Sequence, residues 1–305
     1  MTKPAFGPAD LFGVILFLAL WGGSTAYLGM TGADWTFPII SLAIFGVGLS
    51  AIGWLTTRGA KAEAIEVKNP ARESGALLVY LALYAVLFLG FGMGALRENI
   101  PEGREQELAV MGAKLLVHVV LPAILLVLIG GRLAPFFKSQ IGPKQFWRTL
   151  IVIGAIILAL LAVVSPSLKQ IGGTNASPTL LLWAAPASFV WLAIEAGLNE
   201  EFLYRAVLQT RLSALFRSAW TGIAVTSILF GLAHAPGLFL RGGPETDGWS
   251  TDPFQVIAYT IATLAPLSIF FGFLYARTKS LLLVVLLHGM VDVLPNMAEF
   301  IRTWG

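Results

Sequence analysis

Apolar runs, each about as long as a membrane is thick, follow one another along almost the whole chain. A helix needs about 20 apolar residues to cross the hydrocarbon core, and only short polar segments separate the runs. The pattern predicts an all-α, polytopic transmembrane helical bundle of eight or nine spans. A short fifth run and a polar end on the sixth leave eight spans plus a re-entrant piece open. The nine runs are roughly 9–30, 37–57, 74–96, 107–130, 149–166, 180–206, 218–236, 254–276 and 281–301.

The composition agrees with a membrane protein. Hydrophobic residues make up 57% and charged residues 12% of the 305 residues, whereas soluble domains carry about 25% charged residues. The absence of cysteine excludes disulfides, thiolate metal sites and a cysteine nucleophile. The net charge of +3 comes from basic loop residues, which indicates membrane lipids, and not nucleic acid, as partners.

The loop charges predict an orientation. With the N-terminus inside, 14 of the 20 Lys and Arg residues fall in inner segments and five in outer segments, while Lys114 lies within a run. The positive-inside rule therefore favours nine spans and a cytoplasmic N-terminus. Leu11 to Met30 is too long for a typical signal peptide and is interpreted as a retained first span. Without an organelle-targeting signal, a bacterial inner (plasma) membrane is expected.

Two adjacent glutamates lie deep in the sixth apolar run. A charge at the centre of a span costs roughly 2.5–3.5 kcal/mol on insertion scales, so Glu200 and Glu201 need a reason to be there. Glu201 and Arg205 are spaced i,i+4 and are predicted to form an ion pair. Glu200 points about 100° away and has no partner nearby in sequence, which suits a base that activates water. The structural alternative is a buried ion-pair network that locks two helices.

Two histidines follow in the next apolar runs. His234 comes four residues after Phe230, and His288 four residues before Asp292, so each pair shares a helical face. A neighbouring carboxylate can fix the tautomer of an imidazole. The structural alternatives are a helix-end histidine bonded to backbone for His234 and a polar contact between helices for His288.

Depth decides whether these groups can meet. If the sixth and seventh spans form a hairpin at Arg217, Glu200 and His234 each lie 17 residues from the turn. His288 lies about nine residues past the next inner loop, roughly 14 Å along a helix. All three are therefore predicted to meet in the inner half of the bilayer.

Taken together, the three segments resemble the type II CAAX prenyl protease family, called CPBP for CAAX proteases and bacteriocin-processing enzymes. Its motifs EExxxR, FxxxH and HxxxN/D stand here, in order and on three of the predicted helices, as Glu200-Glu201-x-x-x-Arg205, Phe230-x-x-x-His234 and His288-x-x-x-Asp292. The resemblance covers about residues 180–300. It implies an intramembrane endopeptidase that cleaves a membrane-associated or lipidated peptide or protein. We expect N-terminal accessory transmembrane helices in 1–148 and a C-terminal transmembrane catalytic core in 149–305.

The resemblance also implies roles. Glu200 would be the general base, His234 would orient the water, and His288 with Asp292 would stabilise the oxyanion. Glu201 is included among the catalytic residues, with Arg205 and Phe230 as structural support.

The last motif position is more often Asn, and this departure affects the implied cofactor. Asp292 can donate to an oxyanion only when protonated, and an ionised Asp292 would instead orient His288 or bind a metal. A metal-free glutamate peptidase and a zinc enzyme using Glu200, His234 and His288 therefore both stay open.

A second function class is a non-catalytic membrane protein, either a proton-coupled transporter or a bacteriocin-immunity or regulatory factor, since buried Glu and His also serve as proton relays. No internal repeat of the kind many transporters show is visible.

Three further polar residues lie in apolar runs. Lys114 is expected to extend to an interface and His118 to bond a neighbouring helix, while Glu195 could line a cavity or pair with Lys114.

Overall fold

A computed structural model describes residues 6–305, which contain no strand. The all-α prediction is confirmed. Nine helices in the described part are long and apolar enough to cross a membrane, and we label them α1 to α9 in chain order. They are Pro8–Met30, Thr36–Thr56, Pro70–Asn99, Arg104–Leu128, Pro143–Val164, Pro178–Phe216, Ala219–Arg241, Pro253–Thr278 and Leu281–Trp304.

Burial separates the helices into an outer and an inner set. The apolar windows of α1 to α5 are only 22–28% buried, whereas those of α7, α8 and α9 are 44%, 67% and 56% buried. Helices that present most of their apolar surface outward fit contact with lipid chains. Helix α8 is the most buried and packs mainly against α7, α1 and α2, while α1 to α5 leave most of their apolar surface to face the membrane.

Helix α6 is longer than predicted. Its 39 residues correspond to about 58 Å of helix, against about 30 Å of hydrocarbon. It contains Pro186 and widens into π-type turns at Ala193–Leu198 and Phe202–Gln209. Such turns are rare and frequently mark functional sites, and Asn199–Glu201 lies between these two.

The longer helix corrects the charge count used for the orientation. Arg205 and Arg211 were assigned to an inner loop, but both lie within α6 and are buried. Each is tolerated there because it has a carboxylate partner. The turn predicted near Arg217 is confirmed: Arg217 adopts a left-handed conformation with φ of 51°, and Ser218 caps α7 by accepting a hydrogen bond from the amide of Thr221.

A buried ion pair ties α3 to α6. Arg211 Nε donates to Glu73 Oε2 at 3.1 Å, and each side chain is 1% exposed. The guanidinium also lies 4.9 Å from the ring centre of Phe136, a cation–π contact. Because a buried charge without its partner is costly, this pair makes the position of α3 depend on α6.

We expect Glu73→Ala to destabilise the protein by about 3–5 kcal/mol, because it leaves Arg211 charged and unpaired in an apolar interior. The free energy of unfolding in detergent micelles measures this. Glu66→Ala, at an exposed loop position, is the control and should change stability by about 0.5 kcal/mol or less. Replacing both Glu73 and Arg211 by Met should recover most of the loss, and equal losses in the single and double variants would contradict the account.

Candidate active site

Three helices bring the motif side chains together. Glu200 Oε2 on α6 lies 3.9 Å from His234 Nε2 on α7 and 3.6 Å from His288 Nε2 on α9. These separations exceed a direct hydrogen bond and are short enough for a bridging water. Glu200 is 16% exposed, so it is the accessible member of the glutamate pair.

The depth of the site in the membrane stays a prediction. His234 lies seven residues before the end of α7 and His288 seven residues after the start of α9, about 10 Å of helix each. Those two helix ends lie on opposite faces of the bundle, so the site lies between the faces. Only Arg217 and Ser218 separate α6 from α7. The prediction assumed a longer loop, which would have placed the site nearer the turn.

Close helix packing brings the site residues into contact. A Cβ on Gly197 would lie 2.6 Å from the carbonyl oxygen of Val285, and one on Gly231 would lie 2.7 Å from that of Thr260. Real Cβ atoms do not approach oxygen so closely, so a larger residue would push α6 from α9 or α7 from α8. Small residues at helix crossings are characteristic of membrane proteins.

Glu201 is the buried glutamate of the pair, and its carboxylate contacts the side chains of Arg205 and His288. Arg205 Nε donates to Glu201 Oε2 at 3.0 Å, and both side chains are 0% exposed. His288 Nδ1 lies 2.8 Å from Glu201 Oε1, and Arg205 Nη1 donates to Ser268 Oγ at 2.9 Å. The predicted i,i+4 pair is present, and it extends into a network that joins α6, α8 and α9.

The hydrogen bonds determine which nitrogen of each histidine carries hydrogen. The Nδ1 of His234 lies 2.8 Å from the carbonyl oxygen of Phe230, and that of His288 faces the carboxylate of Glu201. Both oxygens only accept hydrogen bonds, so each Nδ1 is a donor. A neutral His234 therefore presents the lone pair of Nε2 to the side where Glu200 lies. The backbone contact expected under the structural reading of His234 thus also orients its ring toward Glu200.

Asp292 does not hold the tautomer of His288, contrary to the sequence interpretation; Glu201 does. Asp292 Oδ2 lies instead 3.4 Å from His288 Nε2, on the predicted shared face. Asp292 is 26% exposed and Glu201 is 0% exposed. The contact between His288 and Glu201 joins different helices, and no spacing along the chain indicated it.

A cavity of about 860 Å³ opens beside Glu200 and His234. Its wall also includes Tyr204 on α6 and residues of α3 and α4 that carried no motif. Among them are Tyr84, Lys114 and His118. A cavity of this size is in the range that holds a ligand or a peptide segment.

The three polar residues outside the motifs have definite partners. Lys114 forms an ion pair with Glu195, one of the two roles considered for Glu195, and does not extend to an interface. The side chain of His118 bonds a neighbouring helix, as expected, since its Nε2 lies 2.8 Å from the hydroxyl of Tyr84 on α3. These contacts join the N-terminal helices to the cavity wall.

Comparison with known proteins places this geometry in a family. The family model described as "Rce1-like: Type II CAAX prenyl endopeptidase Rce1-like" matches residues 181–294. This match supports membership of the CPBP family. The match includes every motif residue named above and supports a peptidase within a membrane. No curated protein and no solved structure matches the chain.

The side chains at the site can be compared with those that usually bind zinc in proteins. Carboxylate and imidazole are suitable zinc ligands, and a metal-binding histidine commonly donates its second N–H to a carboxylate or carbonyl, as both CPBP motif histidines do here. However, residues 6–305 contain no group of three or more His, Cys, Asp or Glu side chains arranged to hold a metal ion. The arrangement present does not fit a metal centre, so we derive no step through one.

The two adjacent glutamates should differ in their effect on stability. Glu201→Gln leaves Arg205 buried without a countercharge and should cost about 3–5 kcal/mol. Glu200→Gln removes a partly exposed carboxylate that makes no hydrogen bond in the described chain and should cost about 1 kcal/mol or less. Unfolding of the purified variants in one detergent measures both. Equal costs would contradict the division of roles.

Proposed function

We propose that the chain is an intramembrane endopeptidase of the glutamate type, acting on a membrane-associated or lipidated peptide or protein. The observation that carries the proposal is the convergence of Glu200, His234 and His288 from three helices at the wall of one cavity. The CPBP match supports the reaction class. The position between the two faces of the bundle suits a substrate that enters from the membrane.

The geometry suggests how water is held. Glu200 Oε2 and the lone pair of His234 Nε2 both accept hydrogen bonds, and they lie 3.9 Å apart. One water can donate a hydrogen to each of them. Its oxygen lone pairs then point away from both groups, toward a substrate carbonyl carbon in the cavity.

Hydrolysis then needs two proton transfers. Glu200 takes one proton from the water as the water oxygen bonds to the carbonyl carbon, and the electrons of the C=O bond move to its oxygen. The tetrahedral intermediate collapses as the C–N bond breaks, and Glu200 returns the proton to the leaving nitrogen. His234 acts by holding the water, and it gains and loses no proton overall.

In this scheme, Asp292 does not donate a hydrogen bond to the oxyanion. An ionised carboxylate has no hydrogen to give, and Asp292 lies 3.4 Å from His288 Nε2. We assign Asp292 and Glu201 to positioning His288 from its two nitrogens. His288 in turn closes the side of the site next to Glu200.

The orientation in the membrane is part of the proposal. Without Arg205 and Arg211, the basic loop residues still concentrate on the side of the Arg217 turn. The positive-inside rule then places that side and the N-terminus in the cytoplasm. We expect a bacterial inner membrane as the location.

Glu200→Gln and His234→Ala should each reduce cleavage of a membrane-anchored peptide reporter by about 10²–10⁴-fold, because they remove the base or its water-holding partner. Cleavage in proteoliposomes measures this, with insertion verified by membrane fractionation. Glu66→Gln, in an exposed loop, is the control with full activity. Reporter cleavage at the normal rate by both site variants would refute the mechanism.

The glutamate mechanism also predicts independence from metals. Cleavage by the wild-type protein should continue after dialysis against an excess of a zinc chelator, and metal analysis should find less than one zinc per chain. If activity is lost and returns with added zinc, the metalloprotease alternative with Glu200, His234 and His288 as ligands replaces the proposal.

A further inference from the structure

The motif side chains at the site offer acceptors for hydrogen bonds, but neither motif histidine has an N–H group that is free to bind a substrate oxygen. His234 uses its Nδ1 hydrogen on the carbonyl of Phe230. His288 uses its Nδ1 hydrogen on Glu201, and its Nε2 lies between the carboxylates of Glu200 and Asp292. A protonated His288 therefore directs both N–H groups at carboxylates. Peptide hydrolysis develops negative charge on the carbonyl oxygen, and stabilising that charge is usually the largest single catalytic contribution.

Tyr204 is placed to fill this gap. It lies one turn after Glu200 on α6, so the two side chains share a helical face, and both line the 860 Å³ cavity. The Tyr204 ring packs edge-on against Phe230 with ring centres 5.2 Å apart, and the Phe230 ring lies 4.6 Å from that of His234. The motif phenylalanine thus holds Tyr204 and His234 in one cluster.

The hydroxyl of Tyr204 lacks a partner within residues 6–305, although the residue is only 1% exposed. A buried hydroxyl without a hydrogen bond costs about 1–3 kcal/mol, and such a group calls for an explanation. Tyr84, also in the cavity wall, differs. Its hydroxyl lies 2.8 Å from His118 Nε2, and His118 Nδ1 lies 3.0 Å from the carbonyl of Lys114. His118 must donate to that carbonyl, so Tyr84 donates to His118 and has no hydrogen left.

We propose that Tyr204 is a further catalytic residue, whose hydroxyl donates a hydrogen bond to the carbonyl oxygen of the scissile peptide bond. This inference rests on the proposed peptidase function. Tyr204 keeps its proton throughout: it stabilises the negative oxygen of the tetrahedral intermediate, and the bond formation and C–N cleavage are those carried out through Glu200. The free energy lost by leaving this hydroxyl unpaired is then the cost of having a hydrogen-bond donor in place for the transition state.

The test makes the same substitution at two buried tyrosines, one that lines the cavity and one that does not. Tyr204→Phe removes only the hydroxyl oxygen of a residue that lines the cavity. Tyr275→Phe makes the same change at a fully buried tyrosine that does not line the cavity. For reporter cleavage in proteoliposomes, we expect Tyr204→Phe to lower kcat about 10²–10³-fold, the effect of losing one oxyanion donor, with KM nearly unchanged. Tyr275→Phe should keep the wild-type kcat.

A second measurement separates catalysis from packing. A phosphonate analogue of the reporter peptide carries a tetrahedral, negatively charged centre, and its affinity should fall with kcat/KM in Tyr204→Phe, while substrate affinity does not. The thermal midpoint should be unchanged or higher, because an unpaired buried hydroxyl is removed.

The outcomes distinguish this inference from the proposed function. If Glu200→Gln is inactive and Tyr204→Phe has the same kcat and analogue affinity as Tyr275→Phe, the role of Tyr204 is overturned and the peptidase mechanism stands. If Glu200→Gln retains full cleavage, the proposed mechanism fails, and the role of Tyr204 fails with it. A loss of kcat with a matching loss of thermal stability would also overturn the inference, because it would show a structural role.

Discussion

The buried charge of Glu201 is the constraint on which the site depends. Both Glu201 and Arg205 are 0% exposed, and removing two ions from water costs several kcal/mol each unless their geometry is close to ideal. The cost is offset only when Arg205 reaches Ser268 on α8 and His288 on α9 reaches Glu201. A displacement of either helix would leave a buried charge or donor unsatisfied. The network therefore fixes the positions of α6, α8 and α9 relative to one another, as the proposed chemistry requires.

Two identical side chains next to each other have different surroundings because a helix turns about 100° per residue. Glu201 points into the contact between α6, α8 and α9, where every oxygen is used. Glu200 points at the cavity, 16% exposed and with no hydrogen bond of its own. A carboxylate with no fixed partner is free to bind water and take its proton. In the proposed mechanism, the contacts of Glu201 therefore hold Glu200 in place and leave Glu201 itself with no oxygen free to react.

Local periodicity was sufficient to predict contacts within one helix. The spacing of Glu201 and Arg205, and of His288 and Asp292, predicted each pair correctly, since i,i+4 residues meet on any helix. Contacts between helices were harder. Glu201 with His288 and Glu73 with Arg211 join residues 87 and 138 positions apart. No pattern along the chain specifies how one helix rotates against another. The length of the turn between α6 and α7 was misjudged for a related reason, because hydropathy does not determine it.

The origin of the cavity wall explains why the family match indicates the class of reaction more closely than it indicates the substrate. Every motif residue lies within the matched residues 181–294, but Tyr84, Lys114 and His118 in the cavity wall come from α3 and α4, outside that range. The base, the water-holding histidine and their supports would serve for any peptide bond brought to them. Which peptide fits depends on the shape and polarity of the opposite wall. In this chain, the N-terminal helices supply that wall and connect to the core through the Lys114–Glu195 ion pair. Selectivity is therefore expected to reside in the helices that carry none of the motifs.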